Sequence, residues 1–84
     1  MTIYLVKMYG SNCDNDLWGH DLLFRKKANA LKVFEEELTN LRRDYLVCKD
    51  VEEELADDYC YNWFNDEFFT ALELHSYEVD DVDD

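Results

Sequence analysis

Asp14, Asp16 and Gly19 occupy the first, third and sixth positions of a calcium loop of the EF-hand type. The pattern fails after that. Trp18 stands where an oxygen donor belongs, and Arg25 stands at the closing position, where a bidentate glutamate belongs and an arginine repels the ion. Turn-forming Asn and Asp account for the stretch without a metal. Cys13 and His20 are separated by six residues, and no second Cys or His pair completes a tetrahedral zinc site. Gly10 and Gly19 stand alone, so no phosphate-cradling loop is formed. Cys–His nucleophilic catalysis needs an orienting third group, and nothing marks one. These residues lead us to expect no enzyme activity, no cofactor and no metal.

The stronger signal is carboxylate. The chain of 84 residues holds 8 Lys and Arg against 21 Asp and Glu, a formal net charge of −13. Residues 1–49 carry every basic side chain and come out near neutral, whereas residues 50–84 hold 14 acids and no Lys or Arg. Such self-repulsion opposes compaction, and it argues against nucleic acid or an anionic membrane as partner and for a basic one. Glu52, Glu53, Glu54, Asp57 and Asp58 form the centre of the charge, with Asp66 and Glu67 beside it. On a helix, Glu53–Asp57 and Glu54–Asp58 are like-charge pairs four apart, each unfavourable by a few tenths of a kcal/mol. A duplex carries about one charge per 1.7 Å of axis, a density that carboxylates packed on a helix approach. A solvated, solubilising acidic face is the plainer alternative.

The elements that must position these groups follow from the spacing of apolar residues. Thr2–Tyr9 (TIYLVKMY) reads as a central strand, apolar on both faces and ended by Gly10. His20–Phe24 returns as its hairpin partner after a turn-rich connection. Lys26–Tyr45 is a helix with Leu31, Phe34, Leu38, Leu41 and Tyr45 on one stripe and Arg42 and Arg43 in the last turn. Asp50 and Glu53 have capping-box spacing, and Val51, Leu55, Tyr59 and Trp63 recur every four residues, which predicts a second helix from about Val51 to Phe64. Phe68–Val79 is a third strand with a parity switch near His75–Ser76 that suggests a bulge; a helix over Glu67–Leu74 is the alternative. The order β-β-α-α-β predicts an α+β domain over 1–79, a three-stranded antiparallel sheet with both helices on one face, followed by an acidic tail over 80–84.

No apolar run is long enough for a membrane span, and Met1 opens onto a strand rather than a secretory leader. Three cysteines, an odd number without close pairs, fit a reducing compartment. The expected setting is therefore the cytoplasm, with a monomer or weak homodimer.

The small acidic chain, its lack of catalytic motifs and its carboxylate-rich, aromatic-bearing second half resemble phage-encoded anti-defence inhibitors, the anti-CRISPR and anti-restriction proteins that act as nucleic-acid mimics. The resemblance is of overall character and carries over no functional residues. It implies a viral or mobile-element protein in a host cell that occupies the basic DNA- or RNA-binding surface of a CRISPR effector or other defence nuclease. The aromatics supply another reading. Tyr59, Tyr61, Trp63, Phe64, Phe68 and Phe69 crowd together, and a helix cannot bury residues two apart on one narrow stripe. Exposed Tyr59, Tyr61, Trp63 and Phe64 would then dock a host protein as a non-enzymatic regulator or adaptor, with Tyr61 and Trp63 as anchors and the acids serving solubility.

Overall fold

In the computed structural model, which describes residues 1–11, 16–45 and 50–79, strands β1 (Thr2–Ser11) and β2 (Leu17–Phe24) form a hairpin that leads into helix α1 (Lys27–Tyr45). Strands β3 (Glu52–Asp57), β4 (Cys60–Phe64) and β5 (Phe69–Glu78) complete the described chain. All five strands lie in one antiparallel sheet of order β2-β1-β5-β4-β3. The chain builds one edge with β2, crosses the sheet through α1, starts again at the other edge with β3, and works inward until β5 pairs with β1. Cys13, Asp14, Cys48 and the 80–84 tail lie outside the described residues.

The sheet therefore has five strands with one helix, where three strands and two helices were expected. The segment read as a second helix is the β3–β4 hairpin. Trp63 and Tyr61 explain the difference. Two residues apart, they diverge by about 200° on a helix but share a face on a strand. As a strand, β4 puts both against α1, and their rings stack 6.0 Å apart. Apolar residues four apart satisfy a strand's period of two as well as a helical stripe, so Val51, Leu55, Tyr59 and Trp63 do not discriminate. The expected bulge near His75 is also absent: β1 and β5 pair without a break from Thr2–Glu78 to Ser11–Phe69.

The core lies between α1 and one face of the sheet. Val6, Ala30, Phe34, Trp63 and Leu72 are buried together, with Tyr4, Met8, Phe24, Val33, Leu38, Leu41 and Tyr45 packed around them. Ala30 takes the place on the helix stripe expected for Leu31, which is half-buried. The Tyr45 hydroxyl meets the hydroxyl of buried Thr70 at 3.0 Å, which fixes the end of α1 over β5. Gly10 belongs to β1 where the strand presses on β5: a Cβ there would run into the carbonyl oxygen of Phe69 and lie 3.1 Å from the Cα of Thr70. Among the described residues, no helix is long and apolar enough to cross a membrane.

Candidate functional site: an acidic sheet edge

β3 is an edge strand, and its alternation divides the three consecutive glutamates between two environments. Glu53 pairs with Trp63 in the β3–β4 register and so faces α1. Its carboxylate accepts the Trp63 indole N–H at 3.0 Å and the Arg42 Nε–H and Nη2–H at 2.7 and 3.2 Å, a fork-on-fork pairing. The Arg42 hydrogen bonds, helped by that from Trp63 and opposed by partial burial, hold the Glu53 carboxyl below its ordinary range. The same pairing raises Arg42 further above the ordinary guanidinium value. Arg42 also lies over the ring of Tyr61, 5.1 Å from its centre. Trp63 itself is 0% exposed. Glu53, Trp63 and Tyr61, all expected to bind a partner, thus tie the edge strand to the helix.

Glu52 and Glu54 point the other way, onto the face that α1 leaves uncovered, opposite Phe64 and Asn62. A register shift between Leu55 and Asp57 brings Asp57 opposite Cys60. Burial, then the charges of Glu73, Asp57 and Glu54, push the Cys60 thiol up. Asp57 accepts the Asp58 backbone N–H at 2.8 Å and closes the β3–β4 turn. In the β4–β5 turn, Asn65 Oδ1 accepts the backbone N–H groups of Glu67 and Phe68 at 2.7 and 2.9 Å. This turn leaves Asp66 and Glu67 exposed at its tip.

Asp50, Glu52, Asp66 and Glu67 line a groove of about 600 Å³ whose apolar wall is Val51 and Phe64. Of the residues expected to bind a partner, Glu52, Asp66 and Glu67 are brought together here, while Glu54, Asp57 and Asp58 lie further along the same edge. Asp50 was not among them; its place before the first glutamate, at the hairpin's base, is the signal that could have found it.

Of the aromatics read as a patch, Trp63 is buried, Tyr61, Phe64, Phe68 and Phe69 are half-buried, and Tyr59 is exposed. Tyr45 stacks on Phe68 at 5.1 Å and on Trp63 at 6.2 Å, and Phe34 meets Tyr59 edge-on at 5.7 Å. Tyr59 remains exposed and Phe64 half-buried. On the uncovered face, the Tyr9 hydroxyl donates to Glu73, which also meets His75 Nε2 at 2.5 Å. The hydrogen bond to Glu73, then burial, push the Tyr9 hydroxyl up to about 12. Burial alone would raise the Glu73 carboxyl, but the hydrogen bonds from Tyr9 and His75 outweigh it and hold the group below its ordinary range. Among the described residues, no three His, Cys, Asp or Glu side chains are grouped to hold a metal ion. The chain matches no protein-family model, curated protein or solved structure.

Proposed function

We propose that the protein is a non-enzymatic inhibitor whose acidic edge binds the basic surface of a nucleic-acid-binding host protein and keeps DNA or RNA from it. The observation that carries this reading is the one-sided charge. Residues 50–79, which form β3, β4, β5 and the turns around them, hold ten acids and no Lys or Arg, and seven of these, Asp50 included, line one edge and its two turns. Of these ten, Glu53 has a guanidinium partner from α1. The binding set is Asp50, Glu52, Glu54, Asp57, Asp58, Asp66 and Glu67.

The strand geometry changes what kind of mimicry this is. Same-face residues on a strand repeat every ~6.7 Å, half the linear charge density of one nucleic-acid strand at about 3.4 Å per phosphate. The edge therefore complements a basic surface as a charged rim flanked by two acidic turns, and does not copy phosphates one for one. A CRISPR effector or other defence nuclease is the partner class that the resemblance implies. The test is competition: the protein should displace DNA or RNA from such a nuclease at low salt, and a variant with Lys at Glu52, Glu54, Asp57 and Asp58 should not. Aromatic docking is disfavoured by the burial of Trp63 and by the stacking of Tyr61 against it.

A further inference from the structure

The two edges of the sheet are built on opposite plans. β3 carries three consecutive glutamates and a register shift, both devices that discourage another strand from adding to an edge. β2 has neither. Its pairing with β1 runs through eight residues without interruption, and it contains one charged residue other than histidine, Asp21. A strand of eight residues that, among the described residues, pairs on one side offers ~27 Å of backbone donors and acceptors on the other.

Apolar side chains are exposed on both faces of this edge. Leu17 and Leu23 are 86% and 68% exposed on the open face, and Trp18 and Leu22 are 36% and 41% exposed on the helix side. One added strand would cover part of both pairs at once, which an edge-to-edge contact does and a contact with one sheet face does not.

Charge selects the occupant. Two copies of a chain of net charge −13 repel wherever acidic surfaces meet. β2 is separated from β3 by four strand spacings, about 19 Å, roughly twice the screening length of ~8 Å at physiological salt. Antiparallel pairing of β2 with its own copy sets the start of one strand, at Asp16, beside the end of the other, at Arg25 and Lys26. The ends are thus complementary in sign. We infer that β2 is a self-association edge, and that two copies join antiparallel about a two-fold axis to make one continuous ten-stranded sheet with the acidic β3 edges at its far ends.

The inference does not rest on the proposed function and is tested without a partner. Sedimentation of the full chain from roughly 1 μM to 1 mM should show a monomer passing to a dimer. Backbone amides of β2 should gain hydrogen-exchange protection across the same range, while those of β3 should not. Leu17→Lys and Leu23→Lys, both at exposed positions, should weaken the dimer about tenfold or more with the circular dichroism of the monomer unchanged. Glu54→Lys should leave the dimer as it is. A strict monomer at 1 mM overturns the inference, as does a dimer that survives both lysines or one that protects β3 instead of β2.

Discussion

Glu53 differs from Glu52 and Glu54 in nothing that a sequence displays, yet its parity turns it toward Trp63 and Arg42. Its charged form is favoured in the fold, so its stabilising contribution is complete above the ordinary carboxylate range and is lost as pH falls through the lower, folded value. Glu53→Gln should therefore lower the melting temperature at pH 7, and the gap to the parent should narrow as pH falls below the ordinary carboxylate range. Mild acid also relieves repulsion among the other acids, but the paired comparison cancels that contribution. No gap between the two proteins at pH 7 would show that the Arg42 pairing contributes nothing to the fold. Gly10 makes a second residue-scale case. Gly10→Ala puts a methyl group into the Phe69 carbonyl, so β1 and β5 must part, and a loss of about 1–3 kcal/mol in denaturant melts is expected; a neutral result would mean that the strands separate at no cost. The one-sided charge was legible in the sequence because composition requires no fold. The inward turn of Glu53 was not, since it depends on a guanidinium 11 residues away that the fold alone brings near.

At the scale of elements, the long helix was legible from its apolar stripe and the first hairpin from its β-branched and aromatic runs bounded by turn residues, whereas the final strand was legible only with a helix over Glu67–Leu74 left as an alternative. α1 carries apolar groups at Ala30, Phe34, Leu38 and Leu41, and this stripe faces the sheet. Phe34→Ala should cost about 3–5 kcal/mol and half-buried Leu38→Ala about 2, whereas Glu36→Ala on the exposed face should stay within about 0.5. Equal melts for the three variants would put the helix face elsewhere. The β3–β4 hairpin was misread for a physical reason. Its three glutamates are good helix formers with a capping-box start, and intrinsic propensity is a weak guide where tertiary packing decides. The feature that resolves it was present in Tyr61, Trp63 and their neighbours: aromatic residues two apart are intolerable on a buried helical stripe and natural on a strand. Taken as surplus aromatics, they suggested an exposed patch; on β4 they line the inner face, stacked on each other and on Tyr45. The supposed repulsion between residues four apart disappears with the helix, because an extended chain sets such residues about 13 Å apart.

At the scale of the molecule, the layout separates charge from apolar surface. One edge is acidic and guarded, the other apolar and unguarded, and a single helix covers one face of the sheet between them. If the acidic edge binds a cationic surface, affinity arises from counterion release and near-contact attraction, and it should fall steeply between about 50 and 200 mM salt. Lysine at Glu52, Glu54, Asp57 and Asp58 should abolish displacement of nucleic acid from the partner. All four are exposed and none is part of the Arg42–Glu53–Trp63 link, but Asp57→Lys also gives up the hydrogen bond from the Asp58 N–H, so the relief of net repulsion is set against the loss of that one turn bond and the fold should be kept. Glu53→Gln is the control that parts site from scaffold: it should loosen the edge strand but leave most of the charge and a similar salt slope. Alanine at exposed Tyr59 should matter little if charge carries binding, and much if an aromatic contact does. A charge-reversed protein that still displaces nucleic acid, with affinity unchanged between low and high salt, would remove the acidic edge from the mechanism and leave apolar contacts to account for binding.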